Sequence, residues 1–178
     1  MRKIPTFKFV LCGVLSALST IAFIIEGLFP PLIIPGARMG VSNIFILLSA
    51  ILLGGRYGFI TLAVKVLIGS LLSGNFFAVA YALPSGILAL SVELILIYIA
   101  KKVSVVATSV AGAVINTIMQ NVIFCLVTDT IEYLSYLPYL ALIGVLGGIV
   151  VGFAVYFVLK ILPHKYFLQT NKSQEKRL

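Results

Sequence analysis

Residues 136–162 read YLPYLALIGVLGGIVVGFAVYFVLKIL, 27 positions whose one charge, Lys160, comes near the far end. As an α-helix rising 1.5 Å per residue, such a run is about 40 Å long, more than the roughly 30 Å of a bilayer's hydrocarbon core. Runs of the same kind lie near residues 9–29, 41–54, 57–73, 76–100 and 103–127, punctuated by charge, proline and glycine. The sequence therefore predicts an all-α, polytopic membrane protein of six transmembrane helices, with residues 1–178 forming a single transmembrane domain and a polar tail at 163–178. The tight Gly54-Gly55-Arg56-Tyr57-Gly58 turn predicts that the short second span and the third form a close antiparallel hairpin.

Composition supports lipid as the solvent. Of 178 residues, 61% are hydrophobic and 10% charged, with a mean hydropathy of +1.19; a soluble domain is roughly 45–50% apolar and about 25% charged. The net charge of +8 does not read as nucleic-acid binding, because the bases sit at the ends of apolar runs and not on one polar face. Cys12 and Cys125 fall inside apolar runs, where cysteine behaves as a small hydrophobe. The N-terminal run follows Arg2, Lys3 and Lys8 as a signal peptide would, but it is long and ends at Glu26 and Pro30-Pro31 without a small-residue cleavage site, so it reads as a retained first span.

Eleven of the 13 lysines and arginines fall on one side of these spans: Arg2, Lys3, Lys8, Arg56, Lys101, Lys102, Lys160, Lys165, Lys172, Lys176 and Arg177. The positive-inside bias makes both termini cytoplasmic, in the cell membrane. Arg38 stands opposite, in the Pro/Gly-rich 30–43 loop, and Lys65 lies halfway along the third span.

A charge at the centre of a membrane helix costs about 2.5–3.5 kcal/mol on insertion scales, so Lys65 needs an explanation. It either forms a buried ion pair with Glu26 or Glu93 that fixes packing, or faces a cavity and holds an anionic or carbonyl-bearing ligand. Glu26, at the outer end of span one, and Arg38 can meet at the outer mouth, beneath a loop that caps a site or merely connects. Ser42 or Asn43 is placed to cap span two. In span five Asn116 and Gln120, four apart, share a face, with Thr117 and Asn121 beside them; three amides within six positions of an apolar span point to a pocket with convergent polar groups. Glycines 144, 148 and 152 recur every fourth residue and predict close packing of span six. Gly13 and Ala17, with Ser16 and Thr20, form a small-residue face on span one that either packs internally or docks another membrane subunit. Pro84-Ser85-Gly86 interrupts span four.

No phosphate-binding loop, no paired acidic motif for magnesium and no nucleophile with a general base is present, so neither catalysis, a metal nor an organic cofactor is implied, and His164 reads as interfacial. The run Pro35-Gly36-Ala37-Arg38-Met39-Gly40-Val41-Ser42-Asn43-Ile44 resembles the signature of the Gx transporter family: Pro-Gly, a small residue, a basic one, Leu-Gly-Leu, a small residue, Asn. The resemblance covers nearly the whole chain, through Glu26 before the prolines, Lys65 followed by Gly69-Ser70, Ser85-Gly86, the amides ending at Gln120, and Leu137-Pro138 opening the last span. Two positions depart from the pattern. Ile115-Asn116 stands where a His-Asn pair is expected, and Lys65 where arginine is common, which loses bidentate geometry.

The family, also labelled heptaprenyl diphosphate synthase component I, is similar to the S-components of energy-coupling-factor (ECF) transporters. The resemblance implies a six-helix subunit that binds a small solute, vitamin-like, flavin-like or an isoprenoid-quinone precursor, and docks on an ECF coupling subunit with two ATPases. The expected binding residues are Glu26, Arg38, Asn43, Lys65, Asn116 and Gln120, and the expected docking residues Gly13 and Ala17. Two other readings stay open: a membrane accessory of polyprenyl diphosphate or quinone synthesis, and a structural subunit of a membrane redox complex. The last requires that interhelical bonds consume all six polar residues and leave no cavity.

Overall fold

The computed structural model describes residues 4–28, 40–99 and 103–162. Among the described residues six α-helices run in order: α1 (Ile4–Leu28), α2 (Asn43–Leu52), α3 (Gly55–Leu72), α4 (Ala78–Tyr98), α5 (Val105–Thr128) and α6 (Leu137–Ile161), with a 3-10 turn at Ile131–Tyr136 before α6. Five of these segments are long and apolar enough to cross a membrane, and the chain is a multi-pass membrane protein. α2 is the exception. Its ten residues span about 15 Å, half a hydrocarbon core.

That short helix is the centre of the molecule. Ile46 to Leu52 are all buried, enclosed by α1, α3 and α6, so α2 needs no length match to lipid. Gly54, at φ +110°, a region closed to side-chain-bearing residues, turns the chain directly into α3. A Cβ on Gly58 would meet the Ala50 methyl at 2.9 Å, so the predicted α2–α3 hairpin closes on a glycine.

Hydroxyls stitch the three helices together inside this apolar shell. Ser16 Oγ of α1 donates to Thr61 Oγ1 of α3 at 3.3 Å, and Thr61 Oγ1 donates to Ser49 Oγ of α2 at 3.0 Å. Ser19 Oγ donates to the Ser42 carbonyl, just before α2, at 2.8 Å. Ser19, Ser49 and Thr61 are fully buried, so each bond replaces a partner that hydrocarbon cannot supply.

α5 and α6 close the other side. Cβ atoms built on Gly144, Gly148 and Gly152 would lie 3.1, 2.6 and 2.7 Å from the Cα atoms of Val114, Val110 and Val106, so at Gly148 and Gly152 only glycine permits this approach and at Gly144 a methyl would crowd it. The Ser104 hydroxyl caps α5 by accepting from the Ala107 N–H at 3.1 Å. Asp129 ends it in the left-handed region, at φ 55°, its N–H returning to the Cys125 carbonyl. α4 stays helical through Pro84, whose missing N–H leaves the Ala80 carbonyl without its helical donor. At one end of the bundle, edge-to-face rings join α4, α5 and the 3-10 turn: Tyr81 to Phe124 at 5.5 Å between centroids and Phe124 to Tyr133 at 6.0 Å.

The span-one face behaves differently from that of α6. Nothing lies within 4 Å of a Cβ built on Gly13, and Gly13 and Ala17 are exposed. Gly148→Ala should therefore cost about 1–3 kcal/mol by overpacking against α5 backbone, whereas Gly13→Ala should change stability by less than about 0.5 kcal/mol or raise it through helix propensity. Thermal unfolding in detergent compares the two, and equal losses would refute the contrast.

Candidate functional site

Five helices each turn one stripe toward a common cavity. α1 contributes Phe23 and Glu26, α2 Asn43, α3 Leu62, Lys65 and Val66, α4 Ala82 and Gly86, and α5 Asn116 and Gln120, with Gly40 and Ser42 at the rim. On α1, α3, α4 and α5 the spacings include i, i+3 or i, i+4, the one-face spacing of an α-helix. Five of the six residues named from sequence thus converge, while the sixth, Arg38, lies outside the described residues. The cavity measures about 40 Å³, room for a few waters or one small functional group. A vitamin-sized solute occupies a pocket of roughly 300–1,000 Å³, so its admission would require the helices to part.

Lys65 is buried, and its ammonium donates to Asn43 Oδ1 at 2.7 Å. It also lies 5.6 Å from the centroid of the Phe23 ring, within cation–π range. Gly69, one turn further along α3, makes this possible: a Cβ there would sit 2.5 Å from Phe23 Cδ1. Phe23 was not singled out in the sequence, and Gly69 entered only through the family resemblance. The available signal was a glycine four residues after the buried cation, on its own face.

Glu26 has a different task from Lys65. Its carboxylate accepts from the Val41 N–H and, at 3.2 Å, from Ser42 Oγ. It therefore sits across the start of α2, where a negative charge meets the positive end of the helix dipole. Ser42 is the N-cap residue but makes no side-chain cap bond; the first N–H groups of α2 turn back to backbone carbonyls instead, Asn43 to Gly40 at 2.9 Å and Ile44 to Val41 at 3.1 Å, and Glu26 braces that turn. The Asn43 side chain is left to hold Lys65.

The α5 amides divide. Asn121 is buried and accepts from Cys125 Sγ within its own helix at 3.6 Å. Thr117 donates to the Ala113 carbonyl at 2.8 Å and lies against Gly144 of α6. Asn116 and Gln120 line the cavity, half-buried, and neither side chain hydrogen-bonds to a described residue. Each brings an unused carbonyl and an unused NH₂ to the space beside Lys65.

Beyond Asn43 and Asn116 a second space of about 20 Å³ continues to Glu93 of α4 and Gly112 of α5. Glu93 is buried, and a Cβ on Gly112 would fall 2.1 Å from its Oε1. A separate groove, of about 480 Å³, runs along the surface between α1 and α3, bordered by Gly13 and Ala17 and by Ile60, Val64 and Ile68. All four residues of the span-one face border this groove; Ser16 and Thr20 are also buried in hydrogen bonds, while Gly13 and Ala17 face out.

The family described as heptaprenyl diphosphate synthase component I matches residues 15–158. The chain belongs to that family. The match begins partway along α1, takes in α2 to α5 and stops just short of the end of α6. No curated protein and no solved structure matches the chain.

The geometry separates structural from available polar groups. Glu26→Ala, which strands the Val41 N–H and Ser42 at the start of α2, should lower stability by about 1–3 kcal/mol. Asn116→Ala and Gln120→Ala should each stay within about 0.5 kcal/mol of wild type. Chemical or thermal unfolding of the three variants reads this directly, and a large loss from either amide would mean that it holds helices together.

Proposed function

We propose that this chain is the solute-binding membrane subunit of a small-molecule transporter, driven by ATPases that it does not itself contain. The observation that carries the reading is the meeting of Lys65 with two unengaged amides, Asn116 and Gln120, at one cavity inside the bundle. Half-buried amides that bond no described residue, set beside a fixed cation, suit a ligand that brings an anionic or carbonyl group and a hydrogen-bonding edge. A vitamin-like solute, a flavin-like ring or a quinone-ring precursor has that chemistry. In this reading the protein lies in the cell membrane with both termini in the cytoplasm, and the chain performs no catalysis.

The exposed Gly13 and Ala17 face suits a helix of an ECF coupling subunit, since small residues let backbones approach. Replacing Gly13 and Ala17 by leucine should then abolish co-purification with a coupling subunit and its ATPases while leaving the isolated chain folded.

A second reading has the family description in its favour: a membrane accessory of polyprenyl diphosphate synthesis. A soluble prenyltransferase that co-purifies with the chain, and whose activity depends on it, would favour that role. The redox-subunit reading required every polar residue to be consumed and no cavity to remain, and the two unengaged amides count against it.

Uptake of labelled flavins and quinone-ring precursors by cells expressing the chain with coupling partners tests the leading reading. Loss of a charge-assisted hydrogen bond worth about 1.5–3 kcal/mol predicts at least a tenfold fall for Lys65→Ala. Undiminished uptake by that variant would refute the assignment of Lys65.

A further inference from the structure

Glu93 is an acid that neither the fold nor the cavity around Lys65 employs. It is 9% exposed on α4, and no described residue hydrogen-bonds to its carboxyl. The bare backbone of Gly112 on α5 gives that carboxyl its room, since a Cβ there would strike Oε1. Beside it lies the space of about 20 Å³, enough for one water. Asn43, Leu62, Gly86 and Asn116 border this space and the larger cavity alike.

The two spaces follow one another along the bundle. From the shared residues, the larger cavity continues to Lys65 on α3 and Gln120 on α5, while the smaller continues the opposite way, to Ile46 on α2, Glu93 on α4 and Gly112 on α5. Seven residues separate Gly86 from Glu93, about 10 Å of helix. The shared stretch includes an apolar contact, Leu62 packed onto Gly86, where a Cβ would lie 2.7 Å from Leu62 Cδ1.

We propose that the solute site is two-ended: Lys65 takes an anionic or carbonyl group, and Glu93 accepts from an N–H or O–H group at the other end of the same molecule. This rests on the reading of the larger cavity as a solute site and adds the second group that the solute must carry. A carboxyl accepts through its carbonyl oxygen whether or not it is protonated, so the role needs no change of charge at Glu93. Glu26, the acid of the larger cavity, is already engaged by the Val41 N–H and Ser42. A buried acceptor without a protein partner is costly, and a donor on the solute supplies the missing bond. Leu62 and Gly86 suit an apolar middle. The solute class is therefore one with an acceptor at one end and a donor at the other, as in a hydroxy acid; a molecule with acceptors alone, such as a simple quinone, falls outside it.

Calorimetric titration of the full chain in lipid nanodiscs tests this with ω-hydroxy acids from glycolate to ω-hydroxyhexanoate, each compared with the unsubstituted acid of the same length. In wild type at least one hydroxy acid should bind about fivefold or more tightly than its parent, the effect of one hydrogen bond to a buried carboxyl. Lys65→Met should lose both kinds of acid. Glu93→Met should erase the preference while still binding the parent acids, and Glu93→Gln, which retains an acceptor oxygen, should keep part of it. With no acid present, Glu93→Met should unfold at the wild-type temperature or above, because no partner is stranded. Parent acids that bind as tightly as every hydroxy acid, a preference that survives in Glu93→Met, or a lower unfolding temperature in both Glu93 variants overturns the proposal and leaves the cavity reading intact. A wild type that binds none of the acids overturns the cavity reading itself, and the second end with it.

Discussion

The ammonium of Lys65 sits in the middle of an apolar helix, where a charge costs about 2.5–3.5 kcal/mol to insert, and the inner arrangement of the bundle follows from meeting that cost. Asn43 must stand at the first turn of α2 for its carbonyl oxygen to accept from the ammonium at 2.7 Å. Asn43 is free to do so because the first N–H groups of α2 turn back to the Gly40 and Val41 carbonyls, and Glu26 of α1 braces that turn through the Val41 N–H and Ser42. Phe23, one turn back on α1, covers the ammonium, and Gly69 gives its ring room. A single cation thus fixes the register of α1, α2 and α3 relative to one another, and the hydroxyl chain through Ser16, Thr61 and Ser49 continues the same register deeper into the bundle.

Once three helices are fixed around Lys65, α4 and α5 bring what remains. Gly86 admits Leu62 against α4, since a Cβ there would lie 2.7 Å from Leu62 Cδ1. The α5 helix is pinned from behind by the glycine ridge of α6, which leaves Asn116 and Gln120 directed at the cavity while Thr117 is spent on its own helix. The site is consequently built on helices, not loops, and a solute larger than the cavity enters only by moving those helices.

Much of this was legible in the sequence, for physical reasons that differ from residue to residue. The all-helical membrane fold follows from apolar runs such as 136–162, because lipid leaves the backbone few alternatives. Lys65, Asn116 and Gln120 stood out because polar groups in such runs are costly and few. What the sequence could not convey was partnership. Glu26 looked like a site acid, and only the fold brings it to the start of α2. Gly69 and Gly112 looked like ordinary small residues until Phe23 and Glu93 came to rest on them. The two small-residue patterns, on α1 and α6, are similar on paper, yet α6 spends its own on α5 while Gly13 and Ala17 remain at the surface. The shortness of α2 was only half visible, since the glycine turn at its end was plain but the burial that lets ten residues suffice was not.

The account stands on the claim that Asn116 and Gln120 are kept for a ligand and not for the fold. Native mass spectrometry of protein extracted from its own membrane addresses this most directly, by comparing wild type with the Asn116→Ala, Gln120→Ala double variant. The account predicts a small molecule retained by the wild type and lost from a double variant that is still folded. A wild type that carries nothing, or a double variant that keeps the same molecule, would contradict it.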